Sequence, residues 1–123
     1  MTWGVINVNM RELYKKIGGD YDDVLKRFGN ENMIVRFVFK FLDDKSFEML
    51  RDAVSGNKIE EAFRAAHTLK GICLNLGFGN LGTVSSEMTE KLRAGDAENG
   101  FAMYDTLCNE YKKTIEAISE TER

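Results

Sequence analysis

At 123 residues the chain fits one domain, large enough to bury a core without disulfide or metal staples. Its 17 Lys and Arg against 20 Asp and Glu leave a net charge of -3, which argues against nucleic acid or an anionic membrane surface as the main partner. Proline is absent although average usage of about 5% would supply several, so long uninterrupted helices are expected and a loop-rich sandwich is not. One His and two Cys are too few for a Cys/His zinc site or a disulfide framework, and reduced thiols in the cytoplasm are the expectation. No apolar run reaches the roughly 20 residues that cross a bilayer, and Met1 to Met10 lack the basic-then-apolar order of a leader, so the chain is expected to be unexported.

Residues 1–8, with Trp3, Val5 and Val8, read either as a tail or as a cap over the rest, and the domain proper is expected over 9–123. Asn9 followed three residues later by Glu12 has capping-box spacing and opens a short helix with Leu13, Tyr14 and Ile17 on one face, ended by Gly18 and Gly19. Asp20 caps a second short helix that carries Val24, Leu25 and Phe28 up to Gly29. From Asn30 a longer amphipathic helix places Ile34, Phe37, Val38, Phe41 and Leu42 on one side. Its phase slips around Asp43, Asp44, Lys45 and Ser46, which predicts a kink or a restart capped by Ser46 before Phe47, Leu50 and Val54 resume.

Asn57 with Glu60 repeats the capping-box pattern and opens a helix that runs to Gly77. A joint at Gly77 to Gly79 leads to Leu81, Val84, Met88 and Leu92, and Gly95 with Asp96 marks the next stop and start. In the last helix Phe101, Tyr104, Cys108, Tyr111, Ile115 and Ile118 recur at alternating steps of three and four, the seam of a helix packed at a shallow angle. The expected fold is all-α, an up-down-up-down four-helix bundle preceded by two short N-terminal helices.

On the helix from Asn57 to Gly77, the side chains of Ile59, Ala62, Ala66, Leu69, Cys73 and Leu76 share one arc, the expected core face. His67, the only imidazole, lies about 140° from the centre of that arc and is expected to face solvent. A lone surface histidine is ordinarily without special function, but Lys70 and Gly71 follow it at three and four residues, on the same side. A glycine inside a helix costs about 1 kcal/mol relative to Ala. At this azimuth the missing side chain leaves room for an incoming partner or for a group carried by His67. Lys70 alone is a solvated charge, yet beside His67 it is placed to pair with an anion on the ring, for which a phosphoryl group fits. Neutral imidazole is a nucleophile able to form a covalent intermediate.

The run Ala66-His67-Thr68-Leu69-Lys70-Gly71 resembles the H-x-L-K-G signature of histidine-containing phosphotransfer domains. Phe63-Arg64-Ala65-Ala66 before it, Asn75-Leu76-Gly77-Phe78 after it and the Leu92-Arg93-Ala94-Gly95-Asp96 joint agree, so the resemblance spans about residues 9 to 118. Ile72 and Cys73 stand where small residues are common in such domains. The resemblance implies that His67 accepts a phosphoryl group from an aspartyl phosphate on a receiver domain and passes it to an aspartate on another. Lys70 would neutralise charge on the phosphoryl oxygens and Gly71 would give clearance. The partners implied are receiver domains of response regulators or hybrid histidine kinases, the receiver bringing its own Mg²⁺. No cofactor of the chain's own is expected, and the absence of a Walker or glycine-rich phosphate pattern points to a phosphocarrier rather than an ATP-using kinase.

Phe63, Arg64 and Leu74 on the His67 side, with Phe78 in the following joint, are the candidate docking rim, suited to a transient encounter below about 1,200 Å². Phe63 and Phe78 are equally compatible with core packing, and Leu74 is the firmer expectation for exposure. Cys73 and Cys108 are expected on core faces, as small buried hydrophobes without a redox role. The six Met and the aromatic seam lack the ligand set of a haem or di-iron centre. Asp22/Asp23 and Asp43/Asp44 sit at helix starts or kinks, where they favour the positive end of a helix dipole. A noncatalytic helical adaptor using the same face is the alternative. One complete bundle is expected to be monomeric.

Overall fold

The computed structural model describes residues 3–121, and the side chains from Met10 onward. Every regular element among them is helical: α1 (Trp3–Lys16), α2 (Tyr21–Phe28), α3 (Glu31–Lys40), a 3₁₀ turn (Phe41–Asp43), α4 (Ser46–Ser55), α5 (Ile59–Leu76), α6 (Gly79–Arg93), α7 (Ala97–Ala102) and α8 (Tyr104–Glu120). No helix among the described residues is long and apolar enough to cross a membrane.

Local chemistry sets most of the boundaries. Asp20 and Asn30 accept hydrogen bonds from the backbone N–H of Asp23 and Met33, capping α2 and α3. Gly29, Gly77 and Gly95 adopt the left-handed conformation at φ 89°, 73° and 82°, stopping the helices before them. Other expectations are corrected. The helix expected from Asn9 begins at Trp3, so Asn9 lies inside α1, and the side chains of residues 1–8 fall outside those described. Asn57 does not cap α5: it takes the left-handed turn itself, at φ 52°, and α5 starts two residues later without a side-chain cap. The restart at α4 is served by Asp44, whose Oδ1 accepts the Ser46 N–H at 2.8 Å, while Ser46 is the first helical residue. The last helix is broken at Met103 into α7 and α8.

The core gathers Met10, Leu13 and Tyr14 of α1, Ile34 of α3, Leu50 of α4, Leu69 of α5, Leu81 and Met88 of α6 and Leu107 and Ile118 of α8. α5 packs between α4 and α6, and α6 in turn meets α7 and α8. Pairs such as Phe63 with Arg93, Lys70 with Glu90 and Cys73 with Gly82, spaced evenly about the Gly77–Phe78 joint, make α5 and α6 an antiparallel hairpin. Ile59, assigned to the core face of α5, is 43% exposed, because it opens the helix beyond the reach of its neighbours. In α8 the buried line runs through Leu107, Thr114 and Ile118, whereas Tyr104, Cys108 and Tyr111 of the expected seam are half-buried. The two tyrosines instead cover the flank by stacking with Phe47 of α4, at 6.2 and 3.9 Å between ring centroids.

The hairpin joint is fastened to the N-terminal segment. The Tyr14 hydroxyl donates to the Leu76 carbonyl at 2.6 Å and the Asn80 N–H to the Ile17 carbonyl at 3.0 Å. Gly79 lies so close to the Gly18 carbonyl that a Cβ would overlap that oxygen, so this position requires glycine. The joint that ends α5 is thereby held in place, and with it the direction in which the outer face of α5 points.

Candidate functional site

The outer face of α5 follows from its inner one. Ala62, Ala65, Ala66, Leu69, Cys73 and Leu76 are all buried, and the helix period then leaves residues 60, 64, 67, 71 and 74 facing outward. His67 is exposed, and neither ring nitrogen has a hydrogen-bond or ion-pair partner among the described residues. Its one aromatic neighbour among the described residues is Phe63, one turn earlier, with ring centroids 5.8 Å apart and planes inclined by 18°. This stacking steadies the imidazole through its face and leaves both nitrogens available. The Arg93 guanidinium of α6 sits 5.1 Å from the centroid of the same Phe63 ring.

Lys70 points to the α6 side of the histidine. Its side chain is only 24% exposed, and Nζ lies 3.6 Å from Oε2 of Glu90. Nε of Arg93 lies 3.3 Å from Oε1 of Glu90 and donates to Oε2 at 3.4 Å, so one acidic side chain engages two cations. Gly71 stands on the opposite flank of His67, and a Cβ there would meet nothing within 4 Å. Close helix packing therefore does not account for this glycine. It does account for Gly82 of α6, where a Cβ would touch Cys73 Cβ at 3.4 Å.

The candidate rim separates into three kinds of residue. Leu74 is 56% exposed, and Phe63 is half-buried between the imidazole and Arg93. Arg64 is exposed but engaged along its own helix, donating to Glu60 Oε1 at 2.8 Å. Phe78 is removed from the rim: it is 1% exposed and lies edge-on to Phe41 at 5.1 Å, with Tyr14 at 6.2 Å. An aromatic at a joint pinned from both sides by backbone hydrogen bonds turns into the core rather than to solvent.

Glu90 and Arg93 are the site residues that sequence reasoning missed. Periodicity on α6 alone does not indicate which of its polar residues meets α5. The antiparallel register about Gly77–Phe78 is the signal that finds them, because it brings 90 opposite 70 and 93 opposite 63. Cys73 is fully buried; burial, aided by the negative charge of Asp44, pushes its thiol up to about 12, so it stays protonated at neutral pH. Cys108 is half-buried and, like Cys73, not in a disulfide. No group of three or more His, Cys, Asp or Glu among the described residues is arranged to hold a metal ion. A cleft of about 410 Å³ lies between Phe37, Phe41, Ile72 and Leu76 with Lys40 and Lys45 at its edge, and does not include His67.

The arrangement presents an unencumbered nucleophilic nitrogen, with two cations on one flank and open space on the other. A family model described as Hpt domain matches residues 42–121, which include α4 to α8 and every residue just placed around His67. No curated protein and no solved structure matches the chain.

Proposed function

The chain belongs to the Hpt domain family, and from that premise we propose that His67 is its phosphorylation site, accepting a phosphoryl group from a receiver-domain aspartyl phosphate and passing it to an aspartate of another receiver. Membership itself implies phosphotransfer in two-component phosphorelays, as a phosphocarrier rather than a classical enzyme. The position of the group, its partners and its route are the proposal. In the step envisaged, the lone pair of an unprotonated His67 nitrogen forms a P–N bond while the aspartyl P–O bond breaks. The receiver carboxylate leaves with the bonding electrons, and onward transfer runs the same exchange in reverse on the second aspartate. Such transfers depend on in-line positioning and charge stabilisation rather than on covalent machinery. The receiver would contribute the aspartate and Mg²⁺, and this chain the nucleophile, Lys70 as counter-charge and clearance over Gly71.

The observation that carries the reading is the exposed His67 ring with neither nitrogen engaged, beside a half-buried Lys70 and a glycine over which nothing stands. We read α4, α5, α6 and α8 as the up-down-up-down bundle that displays it, supported by the antiparallel α5–α6 pairs and by the packing of α4 on α5 and α8 on α6. Phe63, Arg64 and Leu74 are the receiver-facing rim in this proposal, and the carrier works as a cytoplasmic monomer. A noncatalytic adaptor docking through the same face is the competing function, and it gains nothing from a solvent-facing imidazole beside an unfilled glycine. The deciding experiment is incubation with receiver domains carrying acid-labile ³²P. Label should pass to the chain and be lost in His67→Gln; label retained by that variant refutes the assignment, and binding without any label transfer favours the adaptor.

A further inference from the structure

Glu90 has no part in the chemistry just proposed, yet it occupies both cations on the α6 side of the histidine. Its Oε2 lies 3.6 Å from Nζ of Lys70 and its Oε1 lies 3.3 Å from Nε of Arg93, while Arg93 also rests on the Phe63 ring that stacks against His67. A phosphoryl group on His67 carries about two negative charges at neutral pH, if it titrates as phosphoryl groups on other side chains do. Lys70 and Arg93 are flexible enough to turn toward it, and Lys70, with 24% of its side chain exposed, is partly shielded from the water that would weaken the attraction. The cations cannot serve both anions equally well.

We propose that Glu90 is a built-in competitor of the phosphoryl group: it holds Lys70 and Arg93 while His67 is bare, and by contesting them after phosphorylation it keeps phospho-His67 a ready donor instead of a stable store. This rests on His67 being the site of phosphorylation. Glu90 is a positioning residue in this scheme, because it acts on the reacting group only through the two cations and through its own repulsion. The remaining charges nearby do not duplicate it. Glu60 is bound to Arg64 on the Gly71 flank of the outer face of α5, away from α6, and Lys91 points away from His67 on the outer face of α6, as its exposure and its place next to Glu90 in the helix require.

The test uses phosphoramidate as a small donor, whose P–N bond breaks, releasing ammonia, as the P–N bond to His67 forms. The measured quantities are the fraction of His67 phosphorylated at equilibrium with a receiver and the half-life of phospho-His67. Glu90→Gln and Glu90→Ala should each shift the equilibrium toward phospho-His67 by about threefold to tenfold, the range expected when two partly exposed charge pairs are released, and the shift should shrink with added salt. Using both variants separates loss of charge from any hydrogen bond donated by the new amide. In a Lys70→Ala, Arg93→Ala background the effect of Glu90→Gln should fall below about twofold, a coupling that a merely structural role for Glu90 would not produce. An unchanged equilibrium in a chain that is phosphorylated normally overturns the proposal and leaves the His67 assignment standing. Failure of wild-type His67 to accept phosphate from either donor removes both.

Discussion

Replacing Gly71 by Ala separates what the fold needs from what the partner needs. The position lies thirteenth in an eighteen-residue helix, with a full turn of regular backbone on each side. A methyl there meets no atom within 4 Å, so nothing in the native state resists it. The substitution then retains the helix-propensity gain of about 0.8–1 kcal/mol and the reduced freedom of the unfolded chain, part of the same quantity. For a domain of this size that raises the melting temperature by about 3–5 °C. Gly71 is four residues from His67, roughly 6 Å along the helix axis, on the flank free of cations. Reacting atoms must come within about 3–3.5 Å in line, and a displacement near 1 Å costs on the order of a hundredfold. A methyl in the path of the receiver is therefore expected to slow transfer by about tenfold to a hundredfold in a protein that has become more stable. Thermal melting by circular dichroism and single-turnover transfer from a labelled receiver give the two numbers. A lower melting temperature would mean that the fold itself requires this glycine, and unchanged transfer in a stabilised protein would refute the clearance argument.

Four other outcomes follow from the same structure. His67→Gln, at an exposed position whose ring nitrogens have no partner among the described residues, should leave helicity unchanged and stability within about 0.5 kcal/mol of wild type while abolishing label transfer. Gly79→Ala should be the opposite of Gly71→Ala: the new methyl overlaps a backbone carbonyl, and a loss of 1–3 kcal/mol or more, of about the size found for overpacked cores, is expected in denaturant titration. Ser85 carries a buried hydroxyl without a hydrogen-bond partner among the described residues, so Ser85→Ala should leave stability unchanged or raise it by up to about 1 kcal/mol; a clear loss would reveal a bond to that oxygen. The Cys73 thiol is raised from 9.0 to about 12 by burial, which favours the protonated form in the folded chain. Its contribution is complete below pH 9 and is lost as pH rises toward 12, so the urea midpoint should fall over that window, and less steeply in Cys73→Ala.

Features that depend on a few adjacent residues were legible from the sequence. Gly29, Gly77 and Gly95 end helices because the left-handed turn they take is local, and Asp20 and Asn30 cap because the amide each one serves is three residues away. The solvent face of α5 was equally legible, since five of the six apolar residues assigned to the arc opposite His67 are buried. The failures share a different cause. Asn57 and Glu60 have capping-box spacing, but the chain needs a left-handed residue to turn from α4 into α5 and Asn57 supplies it. Phe78 looked available because joints are usually exposed, but Tyr14, Ile17 and Gly18 hold this one against α1. Glu90 and Arg93 were invisible because their roles exist only across a helix pair.

The two flanks of His67 differ in a way that gives the approach a direction. Lys70 and Arg93 both stand toward α6 and are tied together through Glu90, with the exposed Leu74 reaching toward Gly82 on the same side, whereas the Gly71 flank offers only Arg64, already occupied by Glu60. In the proposed transfer, a phosphoryl group arriving with its receiver would meet least steric resistance over Gly71 and most favourable charge on the α6 side. The cations would then lie behind the incoming group, where they would neutralise its oxygens without obstructing the line between the two reacting atoms. A lysine on the Gly71 flank would attract the same charge but stand in the way. Placing bulk and charge on one side of a single exposed imidazole, and emptiness on the other, is how a helix whose histidine sits in no deep cleft can still favour one orientation of a much larger partner.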